Sequence, residues 1–367
     1  MSILAVLAAI AVLAVLIVVH EFGHFAAARL QNIHVNRFAI GFGPVLLKYQ
    51  GTETEYSLRA LPLGGFVGFP DDDPDSEIPP EDPDLLRNRP LLDRAIVISA
   101  GVMANLIFAY FLLVGQAFTL GIPELSQPGV KVPELLNQVD SPAQVAGLQA
   151  GDAILAVGDR PLGHSLQVVS NLKQTIERSA AQPLDLLVQR GDRQLHITVI
   201  PDADAAGRGR IGVMLVPNGE LQYRAPGSPW AALGAGAADF QTTTLLIVQG
   251  LGQLVSNFGE NAGQVASPVK IVQIGADLAR NDPSNFLRFG ALISINLAIF
   301  NILPLPALDG GQLAFLVIEG LRGKPLPSRL QDGIMQTGLV LLFSLAIVLI
   351  ARDTANLTVI QDLFQGS

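Results

Sequence analysis

A chain of 367 residues is long enough for two or three ordinary domains. Half of it is apolar, 15% is charged and its mean hydropathy is +0.43, whereas a soluble domain carries about 25% charged residues. That balance disfavours disorder, a collagen-like fibre and a simple cytosolic enzyme, and favours a membrane protein. The net charge of −9, with no basic block, gives nucleic acid no electrostatic footing. Without cysteine there are no disulfides, thiolate metal sites or cysteine nucleophiles, so any metal must be held by His, Asp or Glu.

Residues 3–19 form an unbroken apolar run, and helical character continues to about residue 28. No basic residue precedes the run and no cleavage pattern follows it, so it reads as a membrane span and not as a signal peptide. Further spans are expected at Ala95–Leu120, Phe289–Leu308 and Ile334–Ala351, each near the roughly 20 residues that a bilayer requires. Arg29, Arg37, Lys48, Arg59, Arg87, Arg89 and Arg94 lie between spans one and two. Arg322, Lys324 and Arg329 lie between spans three and four. Basic links stay in the cytoplasm, so both termini and the long stretch between spans two and three are expected outside. Asp71–Asp84, rich in Asp and Pro, reads as an exposed loop.

The long outer stretch contains Ser141–Leu162, then a helical pattern at Leu166–Ile176. Alternating strands follow at Leu184–Gln189 and Gln194–Ile200 around an Arg-Gly-Asp turn. The run from Ala146 to Gly158, A-G-L-x-x-G-D-x-I-x-x-V-G, resembles a bacterial PDZ domain. Trp230–Val255 is apolar but broken by Asp239, Gln241, Thr242, Thr243, Thr244, Gln249 and Gln253, and is expected to be an amphipathic helix on the outer surface.

The first span ends in His20-Glu21-Phe22-Gly23-His24. On a helix, residues four apart share a face, so two imidazoles can grip one metal ion with Glu21 beside them for proton transfer. Ionisable groups inside an apolar span cost several kcal/mol even by lenient scales (about 2.5–3.5 kcal/mol each). A catalytic zinc needs a third protein ligand and an open position. Of the other histidines, His34 follows in the cytoplasmic link, and His164 and His196 fall across the membrane. Asp309 is the better candidate. It closes Asn301-Ile-Leu-Pro-Leu-Pro-Ala-Leu-Asp309, where Pro304 and Pro306 break the helix at membrane depth.

HEFGH together with N-x-x-P-x-P-x-L-D-G resembles the site-2 protease family of intramembrane zinc metalloproteases. The resemblance implies an α-helical polytopic membrane protein with about four transmembrane helices, a membrane-associated β element and one inserted α/β PDZ domain. The expected divisions are 1–127 for spans one and two with the β element, 128–217 for the PDZ domain, 218–286 for amphipathic surface helices and 287–367 for spans three and four. It implies Zn2+ held by His20, His24 and Asp309, with Glu21 activating water. The Asn301 amide would hold the substrate backbone or stabilise the oxyanion. Gly41, Phe42, Gly43, Gly64 and Gly65 fall in the β element around Asn36–Phe69, whose edge would capture an unwound substrate by strand addition.

The implied substrates are single-pass membrane proteins already trimmed by another protease, such as anti-sigma factors or remnant signal peptides. The implied location is a bacterial inner membrane, with the PDZ domain outside the cytoplasm, the bilayer as surroundings and no nucleic-acid partner. Two departures stand out: Val102 replaces a usual proline in Ala100-Gly-Val-Met-Ala-Asn105, which should alter a local bend, and Ser267 replaces a usual glycine before Pro268. The rival readings are a proteolytically inactive PDZ-bearing membrane adaptor and a metal transporter.

Overall fold

The computed structural model describes residues 3–73, 76–136, 141–204, 207–256, 266–281 and 286–355. The chain divides into two compact units, residues 117–232 and the remainder.

The larger unit opens with α1 (Ile3–Leu30), the apolar run extended through the histidine motif. Two long strands follow, β1 (Arg37–Gln50) and β2 (Glu55–Gly68). Their register is folded over: Arg37 pairs with both Glu55 and Gly68, and Ile40 with both Leu58 and Gly65. Each strand therefore bends, giving four short segments side by side in the order 45–50, 55–59, 37–40 and 65–68. The bends need positive φ, supplied by Gly41 (88°), Gly43 (83°) and Gly64 (84°). Val45, Leu46, Leu47, Tyr49, Leu58 and Leu61 make an exposed apolar surface on this sheet.

The stretch Asp71–Asp84, expected to be an exposed loop, is anchored through Asp71 and Asp73. The Asp71 carboxylate accepts hydrogen bonds from the Leu86 and Arg87 amides, both at 3.1 Å. Asp73 accepts from Asn36 Nδ2 and Arg37 Nη2 at 2.8 Å each.

α2 (Leu91–Thr119) runs unbroken through Val102, where no proline interrupts the helical ladder. α1 and α2 meet through small residues. A Cβ on Gly23 would reach the Ala100 carbonyl and stand 2.7 Å from the Ala104 Cβ. Such close backbone approach is how helices pack tightly when hydrophobic burial supplies no driving force.

The smaller unit holds a six-stranded sheet and little helix. β3 (Ile122–Leu125), β4 (Val130–Lys131), α3 (Pro142–Val145), β5 (Ala153–Val157), β6 (Arg160–Pro161) and α4 (Val168–Arg178) come first. β7 (Leu184–Arg190), β8 (Arg193–Val199), β9 (Asp202–Ala203), β10 (Gly209–Arg210), β11 (Val216–Pro217) and β12 (Leu221–Arg224) follow. The sheet order is β11-β4-β5-β7-β8, with β6 beside β5. Leu172 and Ile176 on α4 cover Ile154, Leu186, Val188 and Val199. Asp152, fully buried, holds the sheet to the preceding turn by accepting two 2.7 Å bonds from Arg190 and one of 2.9 Å from the Gln149 amide.

The rest of the larger unit is helical: α5 (Pro229–Ser256), α6 (Pro268–Asn281), α7 (Phe286–Ile302), α8 (Asp309–Arg322) and α9 (Ser328–Ala355). Ser267 caps α6, its hydroxyl accepting from the Lys270 amide at 3.2 Å while Pro268 takes the first helical position. Among the described residues, α1, α2, α5 and α9 are long and apolar enough to cross a membrane, and α7 is a shorter apolar helix.

Two sequence expectations shift here. The span expected over Phe289–Leu308 stops at Ile302, since Pro304 disfavours helical geometry in the residue before it. The helix expected to lie on the surface, α5, has the length of a span, and its Phe240 and Ile247 pack on Ala109 and Leu113 of α2 and on Ala291 and Ile295 of α7.

Candidate metal centre

Two helices deliver three side chains to one point. His20 and His24 sit one turn apart on α1, and Asp309 opens α8. The loop before Asp309 is tightly folded: a Cβ on Gly310 would strike the Ile302 and Leu303 carbonyls, and one on Gly311 the Leu305 carbonyl. Ala307 adopts φ 70°, rare for a residue with a side chain, and its amide donates to Met335 Sδ at 3.3 Å. Gly338 on α9 presses on Pro306, whose backbone carbonyl oxygen would lie 2.9 Å from a Cβ placed there. Asp309 is thereby turned back toward α1.

Asp309 Oδ2 lies 3.2 Å from His20 Nε2 and 3.5 Å from His24 Nε2, and the two imidazole nitrogens are 3.3 Å apart. The side chains are 10%, 12% and 15% exposed in the order His20, His24, Asp309. Ligand atoms about 2.0–2.1 Å from a common centre in a tetrahedron stand roughly 3.3–3.4 Å apart, so the triangle has the edge length of a zinc site. Asp309 Oδ2 is buried yet accepts no properly directed hydrogen bond. A buried carboxylate oxygen left so beside two imidazole nitrogens is costly unless an electrophile joins them. The donor set fits a metal ion.

The second cluster of metal-binding spacing among the described residues, His34 with Asp82 and Asp84, is already satisfied. Asp82 accepts the Asp84 amide at 2.8 Å and faces His34 at 3.7 Å, while Asp84 pairs with Arg89 at 2.9 Å. His164 is taken up by the smaller unit's own backbone, its Nδ1 donating to the Leu125 carbonyl oxygen at 2.7 Å.

Around the triangle, α2 presents one face at four-residue spacing. The Val97 carbonyl accepts from His24 Nδ1 at 2.8 Å, and the Asn105 side chain meets His20 Nδ1 at 3.2 Å. Between them stands Gly101, where a Cβ would fall on His24 Nε2 and lie 2.8 Å from His20 Cε1. Sequence reasoning noted the Ala100–Asn105 stretch without assigning it to the site. The signal available was the spacing 97, 101, 105, antiparallel to the histidine pair.

Asn301, near the end of α7, places Nδ2 3.3 Å from His20 Nε2. Glu21 is within electrostatic reach of His20, His24 and Asp309. A Cβ on Gly65 would come within 2.8 Å of Glu21 Cγ, so β2 passes directly against this glutamate. Gly64 is packed instead on the Phe42 ring, and Gly41 on the Leu61 carbonyl. Of the five β-element residues expected near substrate, only Gly65 touches the histidine motif; Gly41, Phe42, Gly43 and Gly64 form the bend beyond it.

Comparison with known proteins decides the family. Residues 8–345 match the model of peptidase family M50. The chain belongs to this family, the site-2 proteases. A putative zinc metalloprotease of Nostoc sp. is 61% identical over 95% of this chain and 96% of its own length. One from Synechocystis sp. is 60% identical over 99% and 98%. The chloroplastic membrane metalloprotease ARASP of Arabidopsis thaliana is 46% identical over 95% and 78%. The protein is thus a multi-pass membrane zinc metalloprotease, and the adaptor and transporter readings fall away.

Proposed function

We propose that this protease hydrolyses peptide bonds inside transmembrane segments of single-pass membrane proteins that another protease has first trimmed on the outer side. Anti-sigma factors and remnant signal peptides are the substrate classes. The observation that carries the reading is the contact of Gly65 with Glu21, which sets a strand edge against the His20–His24–Asp309 triangle. A helical substrate shields its own peptide bonds, so it must unwind before attack, and an unwound segment needs partners for its freed backbone groups. Among the described residues, segment 65–68 has a single strand neighbour, 37–40, which supports addition of substrate along its other edge. The exposed apolar surface around Leu46, Leu47 and Tyr49 supports burial of this element in lipid.

In this reading His20, His24 and Asp309 hold the zinc. Bound zinc supplies a Lewis acid for the scissile carbonyl and lowers the pKa of attacking water toward about 7. Glu21 takes a proton from the attacking water and delivers it to the leaving amine nitrogen. Asn301 Nδ2 donates toward the oxygen on which negative charge develops. Gly65 lets substrate backbone approach Glu21 where any side chain would block it.

The smaller unit spans the segment read as a PDZ domain. Its sheet, with α4 packed over it, supports that reading, and with it a role in screening the outer remnant of the substrate. Deleting about Pro128–Pro217 is expected to leave cleavage of short substrates intact and to make untrimmed substrates with bulky outer domains cleavable in cells. If the bulky substrates stay uncut while short ones are processed normally, size screening by this unit is wrong.

The reading also places the site nearer the cytoplasmic face of a bacterial inner membrane, with the smaller unit outside. From Ile3 to His20 is 17 residues of helix, roughly 26 Å at 1.5 Å per residue, against a hydrocarbon core of about 30 Å. The chain has no cysteine, so single cysteines can report sidedness. Gly310 has no room for a side chain, whereas Leu30 and Leu321 are 85% and 84% exposed. Leu30→Cys and Leu321→Cys should react with an impermeant thiol reagent only from the cytoplasmic side of oriented vesicles. Labelling from the outer side alone would overturn the topology.

A further inference from the structure

We infer that Asn105 is a positioning residue for the metal centre: its side-chain oxygen accepts the Nδ1 proton of His20 and so aims Nε2 at the metal. This rests on the reading of His20 as a ligand. The two histidines are treated differently by α2. His24 Nδ1 faces a backbone carbonyl, that of Val97 at 2.8 Å, which can only accept. His24 must therefore carry its proton on Nδ1 and present a bare Nε2.

His20 faces a side-chain amide, whose two ends are nearly indistinguishable in shape. As placed, Asn105 Nδ2 lies 3.2 Å from His20 Nδ1, while Asn105 Oδ1 is buried with no partner. On the opposite edge of the ring, Nε2 points at Asp309 Oδ2 and at Asn301 Nδ2, the corner where the three donor atoms converge. With Nε2 bare for the metal, Nδ1 carries hydrogen, and a donor would face a donor. Turning the amide about its Cβ–Cγ bond puts Oδ1 against Nδ1 and removes the conflict.

Asn105 is also fixed in place. It is wholly buried, and its backbone carbonyl accepts from Ser294 Oγ on α7 at 2.8 Å, with Ser294 itself wholly buried. The residue is a junction of α1, α2 and α7. Histidine ligands held by such an outer partner typically lose 10–100-fold in metal affinity when it is removed.

The test is zinc affinity of the purified full chain in detergent, measured by competition with a chelating dye, beside His20→Ala. Asn105→Leu keeps the branched shape of the side chain and suits a membrane interior, and is expected to weaken zinc binding about 10–100-fold. Asn105→Asp, which offers only acceptors, is expected to stay within about threefold of the parent, by the same outer-partner logic. Ser294→Ala removes the junction's other bond without touching His20 and is expected to bind zinc as the parent does.

Parental affinity in Asn105→Leu, with zinc lost in His20→Ala, overturns this inference alone. Zinc retained in His20→Ala overturns the ligand assignment and the inference with it. Equal losses in Asn105→Leu and Asn105→Asp would show that the amide nitrogen matters, and equal losses in Asn105→Leu and Ser294→Ala that the role is packing. Either result rejects the assignment.

Discussion

Glu21→Gln should yield a folded, zinc-loaded protein that cuts a model transmembrane substrate about 10²–10⁴-fold more slowly, the usual cost of losing a general base. Glutamine keeps the shape that fits against Gly65, where the Glu21 stem is already within 2.8 Å of where a Cβ would stand. It cannot take a proton. Because the ligand triangle does not include Glu21, metal content should match the parent's. The same variant should retain bound substrate, so crosslinking and mass spectrometry of Glu21→Gln from its native membrane would identify the natural targets. Parental cleavage rates in this variant would remove Glu21 from the chemistry.

The parts of the molecule legible in the sequence are those where one local rule dominates. The helical spacing of His20 and His24 needs nothing beyond about 3.6 residues per turn. The strands around the Arg-Gly-Asp turn lie within a residue of where alternation puts them, since β7 and β8 meet the core with one face each. Hydropathy alone extended the third span to Leu308, although Pro304 already marks the break, and α7 ends at Ile302.

Asp309 therefore stands not at the end of a span but at the start of α8, after a loop held by Met335 and Gly338. The fold-over of β1 and β2 was visible only as glycines at 41, 43 and 64; which segments pair depends on two bends meeting. Asn105 and Gly101 were hidden for a different reason. A buried Asn in an apolar helix has no local meaning until the helix across from it is known, and here that helix carries the histidines.

His24→Ala should strip the protein of most of its zinc. It deletes one corner of the 3.2–3.5 Å triangle, leaving His20 and Asp309 as protein donors where a catalytic zinc ordinarily has three. The loss should exceed the roughly 10–100-fold expected for removing an outer partner. It is read by metal analysis after dialysis against a weak chelator, with helical content confirming that the chain is folded.

A second variant reaches the same end without altering any ligand. Gly101→Ala drives a methyl group into His24 Nε2 and to 2.7 Å from its Cε1, in a helix face already in backbone contact with α1 at Gly23. The imidazole must swing away, because the nearest atoms the methyl group would meet belong to the His24 and His20 rings themselves. If both variants lose zinc, the metal depends on where the His24 ring stands as well as on its presence. Full zinc retention in His24→Ala would sink the ligand set, and retention in Gly101→Ala alone would mean that α2 stands farther from the histidines than the 2.8 Å Val97 contact requires.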